Sequence, residues 1–196
     1  MTRQAQHRRT TKETQIDLSI DVDGSGQIEV STGLPFFDHM ISQLGKHSRF
    51  DLTVKCEGDI DIDAHHTVED VGIALGEAFA KALGDKQGVR RFASMTVPLD
   101  EAAVEVVLDL SDRPFLHYEI DPPGEKILGD PPFDPQLCEE FWRAFVMAAG
   151  ITLHLVLIRG RNTHHIIEAS FKGAARALYD AVVVADEVLP STKGVL

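Results

Sequence analysis

Cysteine is nearly absent: Cys56 and Cys138 are the only thiols in 196 residues, too few for a disulfide framework and not spaced as a zinc ribbon. Stability must therefore come from a packed core, and a reducing compartment is the expected setting. Long apolar runs are also missing. The longest are broken by His154 or Asp186, and the N-terminal MTRQAQHRRTTKE lacks the apolar segment of a signal peptide. A soluble, cytoplasmic protein is expected. Positive charge is scarce, with 19 Lys and Arg against 31 Asp and Glu and a net charge of -12, which argues against a broad nucleic-acid or acidic-membrane surface. Core material is ordinary, at 43% apolar against 26% charged, so the chain should fold as one domain or as two half-domains sharing a core.

What the chain does have is a repeat. HHTVED from His65 falls on HHIIEA from His164 at an offset of 99 residues, and both run into Ala-rich sequence of helical period. Upstream, at an offset of 88, ETQIDLSIDVDGSGQIEVS from Glu13 matches EAAVEVVLDLSDRPFLHYEI from Glu101. Each alternates apolar and polar residues around a turn, Asp23 to Gly26 and Ser111 to Pro114, and each is expected to form a hairpin. Helices over 35–46 and 136–149, strands near 50–56 and 151–158, and then the motif helices complete a β-β-α-β-α half, used twice. The expected fold is α+β, with halves 1–92 and 93–196 and helices packed between or against two sheets. Residues 121–135, rich in Pro, Gly and Asp, are expected to be a loop.

On a helix, residues four apart share a face and adjacent ones diverge by about 100 degrees. His65 and Glu69 can therefore grip one ion while His66 aims elsewhere; His164, Glu168 and His165 repeat the arrangement. Two divalent metals follow. The repeat nominates His39, 26 residues before His65, and Glu140, 24 before His164, as further ligands. His154, in the alternating strand TLHLVLI, competes with Glu140, although a satisfied buried histidine is its expected role; His7, His47 and His117 read as surface or structural residues. Nitrogen and oxygen ligands without sulfur favour Mn, Fe, Zn, Ni or Co, and many ligands per ion favour a six-coordinate metal such as manganese.

The C-terminal Ser191-Thr192-Lys193-Gly194 joins a hydroxyl, a cation and a flexible backbone, which suits an anion. Arg91, Arg113 and Lys172 are further cations expected near the site. Lys172 has Ile73 as its first-half counterpart, so the repeat is broken there, as an asymmetric ligand requires.

Taken together, LPFFDHM, DAHHTVEDVGIALGEA, VPLDEA, GRNTHHIIEASFKGAARAL and PSTKG resemble the imidazoleglycerol-phosphate dehydratases, hydro-lyases of histidine biosynthesis, from about Arg9 to Leu196. The resemblance implies a duplicated half-domain with a four-stranded sheet and two helices, assembled as a 24-subunit homo-oligomeric cage with dimanganese sites between subunits. It implies His39, His65, His66, Glu69, Glu140, His164, His165 and Glu168 as metal ligands, and Arg91, Arg113, Lys172, Ser191 and Lys193 as phosphate contacts. Glu13, in TTKET, would face the substrate as acid/base, beside the catalytic His65, Glu69, His164 and Glu168. Three positions depart from the family pattern: Glu140 stands where histidine is frequent, and Asp112 and Ala93 stand where glycine is usual.

The implied reaction removes water from imidazoleglycerol phosphate to give imidazoleacetol phosphate. No carbonyl acidifies the proton that must leave, so the imidazole ring is the electron sink, through a metal-bound imidazolate and a diazafulvene-like intermediate. The small phosphorylated imidazole is the only partner expected besides further copies of the chain. Two rival readings share the ligands: a dimetal hydrolase, which would release free phosphate, and a metal-storage or metal-sensing cage, which would not need the cations or the STKG tail.

Overall fold

The computed structural model describes residues 3–123 and 127–194; residues 124–126 of the Pro/Gly/Asp-rich stretch lie outside the described residues. The first half runs β1 (Gln4–Thr10), β2 (Thr14–Asp21), β3 (Ile28–Ser31), α1 (Pro35–Ser48), β4 (Asp51–Gly58) and α2 (His65–Leu83). The second runs β5 (Phe92–Leu99), β6 (Ala102–Asp109), β7 (Phe115–Glu119), α3 (Leu137–Ala149), β8 (Thr152–Arg159) and α4 (Thr163–Ala181). The sheets have the orders β1-β2-β4-β3 and β5-β6-β8-β7, so one topology is used twice, and the α+β duplication with two four-stranded sheets holds.

Two details of the expected halves are corrected. The turns at Asp23–Gly26 and Ser111–Pro114 do not close hairpins, because β4 lies between β2 and β3, and β8 between β6 and β7. In each half the first helix is a crossover returning the chain parallel to the strand before it, so β3 pairs parallel with β4 and β7 with β8. The actual hairpins are β1–β2 and β5–β6. Each half therefore carries one more strand than β-β-α-β-α, at a sheet edge. Of those edge strands, QAQHRRT carries little of the apolar alternation that marks a half-buried strand, whereas FASMTVPL sets Ala93, Met95, Val97 and Leu99 on its half-buried face and carries its proline on the other.

The four helices form the layer between the sheets. α2 packs on β1, β2 and α3, while α4 packs on β5, β6 and α1. Ile16, Leu18 and Ile20 of β2, Leu52 and Val54 of β4, Val104, Val106 and Leu108 of β6 and Leu153 and Leu155 of β8 point inward into one continuous core. Its centre is aromatic: Trp142 lies 4.9 Å and Phe141 5.4 Å from Phe171, ring to ring. Helices α2 and α3 approach closely because α2 offers glycine at the contact. A Cβ on Gly76 would stand 2.6 Å from the Phe145 carbonyl oxygen, and one on Gly72 2.8 Å from that of Phe141. Gly76→Ala is therefore expected to cost about 1–3 kcal/mol by overpacking against backbone, outweighing alanine's better helix propensity. A thermal midpoint equal to or above wild type would contradict this.

Within 121–135 the described chain is anchored: Leu128 and Phe133 pair through their backbones and are buried, and Phe133 packs against Phe36 and Phe37 of α1. Among the described residues no helix is long and apolar enough to cross a membrane.

Candidate metal centre

Helix α4 starts where Asn162 accepts from the backbone N–H groups of His164 and His165, an N-cap that presents both rings at the helix mouth. One turn on, Glu168 Oε2 lies 2.9 Å from His164 Nε2. Helix α1, packed on α4, places His39 Nε2 3.3 Å from the same oxygen. Donor atoms of His39, His164 and Glu168 all fall within 4.8 Å of one another. Lys172 Nζ sits 2.6 Å from the other Glu168 oxygen. Burial pushes the Glu168 carboxyl up, but hydrogen bonds from Lys172, His164 and His39 outweigh it and bring it to about 2, so this group is an anion when it meets a cation.

The second histidine of each motif points elsewhere, as helical geometry requires: the ring planes of His65 and His66 are 89° apart, those of His164 and His165 82°. His66 Nδ1 donates to Asp59 at 3.0 Å, which raises the ring's pKa; His165 Nδ1 donates to Glu101 at 2.8 Å. The hydrogen bond from His165, with another from the Asn162 N–H, holds the Glu101 carboxyl down at about 2. An ionised carboxylate can only accept, so in each neutral ring the proton sits on Nδ1 and Nε2 keeps its lone pair. The acidic oxygens facing those Nε2 atoms, from Glu13 and Asp100, stand 3.9 Å off. Asp59 and Glu101 were not among the sequence candidates for this role; the signal present was the register of Glu13 on Glu101, without a sign of how the two differ.

His65 and Glu69 are more open, 3.9 Å apart. Helix α3 packs on α2 and carries Glu140, but Glu140 faces Arg143 at 3.9 Å; among the described residues only the His39 trio closes into a cluster. His154 is not the buried strand histidine that alternation suggested. It lies half-buried on the outer face of its sheet, 5.3 Å from the His117 ring and 5.7 Å from Phe115, with the sheet between it and α4. His7, His47 and His117 contact Glu77, Gln43 and Glu119 and join no ligand cluster.

The cations separate into two places. Lys172, midway along α4, reaches back one turn to Glu168, toward the histidine end. Arg91 is at the far end of α4: its N–H donates to the Ala181 carbonyl, 17 residues beyond His164. At 1.5 Å per residue that is about 25 Å away. Its guanidinium grips Asp109 at 2.7 and 3.1 Å and donates to the Pro190 carbonyl at 2.7 Å, fixing the chain just before Ser191. Arg113, 60% exposed, lies 3.4 Å from Asp109. Arg91, Arg113 and the tail thus form one cluster, and it does not converge on the histidines of its own chain. The cavities of about 660, 560 and 520 Å³ in a single chain likewise include no motif histidine.

Two departures from the resembled pattern acquire reasons. Asp112 has φ +52, the left-handed region that glycine enters freely, and its carboxylate pairs with the buried Lys86. Ala93 lies inside β5 opposite Leu108, a strand position where the backbone needs none of glycine's freedom.

The donor set fits a hard or borderline divalent cation: imidazole and carboxylate atoms gathered on one side, and two histidines whose Nδ1 is held by a carboxylate while Nε2 makes no hydrogen bond among the described residues. A family model described as imidazoleglycerol-phosphate dehydratase matches residues 32–178. Proteins of that name from Gluconacetobacter diazotrophicus and Acidothermus cellulolyticus are 53% and 52% identical to this chain, covering 99% of it and 98% and 93% of themselves. The crystal structure of the dehydratase from Staphylococcus aureus matches with TM-score 0.83 at 38% identity, over 93% of this chain and 99% of that one. The one from Pyrococcus furiosus matches with TM-score 0.82 at 34% identity, over 96% and 99%.

Proposed function

The chain belongs to the imidazoleglycerol-phosphate dehydratase family, and from that premise we propose how it removes water from imidazoleglycerol phosphate in histidine biosynthesis: with two divalent cations, manganese first among them, at sites completed by neighbouring copies. The reading is carried by the two oriented histidines. His66 and His165 each spend Nδ1 on a carboxylate and leave Nε2 without a hydrogen bond among the described residues, the preparation that a ligating histidine needs.

In this reading His39, His164 and Glu168 hold one ion and His65, Glu69 and Glu140 hold the other, with His66 and His165 reaching ions shared with another copy. Glu140 is assigned through its helix, which packs on α2 as α1 packs on α4. Bound there, the cations would act as Lewis acids that fix the substrate ring and draw electron density from it. Glu13 takes the carbon-bound proton: its carboxylate, half-exposed, stands 3.9 Å from His66 Nε2, the atom that would face a cation. Lys172 balances the Glu168 carboxylate through its other oxygen. Arg113, Ser191 and Lys193 bind the phosphate, and Arg91 holds the tail in place through the Pro190 carbonyl.

The 25 Å that separates this phosphate cluster from the α4 histidines supports a homo-oligomer in which one chain's tail serves another's metals; the 24-subunit cage is what the family resemblance implies. We place the enzyme in the cytoplasm.

The test is the product. Manganese-loaded protein given imidazoleglycerol phosphate should yield a ketone that retains its phosphate, and chelated protein should not; release of free phosphate would favour a dimetal hydrolase instead. Glu13→Gln should lower turnover by about 10²- to 10⁴-fold, the usual worth of a general base. Unchanged turnover would remove Glu13 from the reaction.

A further inference from the structure

The repeat is broken around Glu13 in a way that the metal ligands do not explain. Glu13 and Glu101 sit at matching turns, between β1 and β2 and between β5 and β6. Glu101 is immobilised by its own carboxylate, which accepts from His165 and from the backbone N–H of Asn162. In the first half Asp59 takes that partnership with His66, and the Glu13 carboxylate makes no hydrogen bond at all among the described residues.

The turn beneath Glu13 is fastened instead. Thr11 Oγ1 accepts from the backbone N–H of Glu13 at 3.1 Å and of Thr14 at 2.9 Å. The Glu13 carbonyl accepts from the Asp59 N–H at 3.1 Å. Behind the turn lies Asp70 on α2, only 6% exposed: it accepts from Thr14 Oγ1 at 2.5 Å and pairs with Arg9 at 2.8 Å, with Thr11 Oγ1 3.3 Å away.

In the second half all four positions are apolar. At the offset of 88 residues, Arg9, Thr11 and Thr14 correspond to Val97, Leu99 and Ala102; at the offset of 99, Asp70 corresponds to Ala169. The apolar set supports the same hairpin, so the fold does not require the polar one. A buried ion pair with its hydrogen bonds is no more stabilising than well-packed apolar side chains. What it adds is direction, since every donor and acceptor must meet.

We propose that Asp70, with Arg9, Thr11 and Thr14, is a positioning group for Glu13: it aims a carboxylate that must stay free of hydrogen bonds to the protein in order to exchange a proton with substrate. This rests on the reading of Glu13 as the acid/base. Asp70 touches neither substrate nor metal and acts through the turn.

The test is a double-mutant cycle on the manganese-loaded holoenzyme. Asp70→Asn and, as a variant that leaves the buried Asp70–Arg9 pair intact, Thr11→Ala should each lower kcat by roughly 10- to 100-fold, the usual cost of a misplacement near 1 Å, with KM within about twofold. Thr11→Ser should restore the wild-type rate. In a Glu13→Gln background the same substitutions should cost less than about twofold, because the group they aim is gone. Multiplicative losses in that background, an unchanged kcat in the single variants, or loss of bound manganese from Asp70→Asn would each overturn the proposal; the last would make Asp70 a support of Glu69. Full turnover by Glu13→Gln alone would instead overturn the acid/base reading on which it stands.

Discussion

Replacing His164 with alanine is expected to remove one of two bound ions per chain and to lower turnover by about 10³-fold or more. Glu168 is the member of the trio on which the others converge, and His164 is the imidazole nearest to it: it reaches Glu168 at 2.9 Å, stands on a helix start fixed by Asn162, and is braced by the edge-on ring of Phe36 at 5.4 Å. Its loss would leave His39 and Glu168 with an incomplete coordination shell, and Glu168 is already matched by Lys172, which could then hold it as a plain ion pair. A metal ion supplies several kcal/mol of transition-state stabilisation, and 4 kcal/mol is about a factor of 10³. Elemental analysis and turnover should fall together. His7→Ala, altering a surface histidine that pairs with Glu77, should change neither. A fully loaded, active His164→Ala protein would end the dimetal reading.

The second large effect is a recovery. If the Arg113 and Lys193 cluster serves histidines on another chain, an Arg113→Ala/Lys193→Ala protein and a His164→Ala protein should each be nearly inactive alone and regain activity when co-expressed. With random assembly and sites built from two chains, about a quarter of sites would draw both halves from undamaged subunits. The expectation rests on the length of α4, which holds Arg91 beside Ala181 and so keeps this cluster about 25 Å from His164 of the same chain. Co-expressed protein no more active than the sum of its parents would require each chain to serve its own site, by a geometry that this fold does not offer.

The geometry of the candidate metal centre was legible where it is local. His164 and Glu168 meet through one helical turn, and the divergence of His165 follows from the same geometry, so both could be read from HHIIE alone. His39 was found through the repeat, and contact between α1 and α4 brings it to Glu168. Pairing between strands was less legible. Two alternating segments joined by DGSG look like a hairpin, and nothing in them announces that a crossover helix will insert β4 between them. The polar edge strand β1 hid for the same reason: an edge strand need not show a strong apolar face.

By itself the sequence determined the duplication, the two motif helices, the chemistry of their ligands and the family, since each is written in residue types at fixed spacing along one element. Only the tertiary structure decided that Asp59 and Glu101 orient the second histidines, that Arg91 is occupied by Asp109 and the tail, that His154 faces outward, and that Asp70 stands behind Glu13. These are contacts between residues from 7 to 99 positions apart, or choices of sheet face. Such relations depend on how sheets and helices stack, and a single strand or helix carries no record of its neighbours.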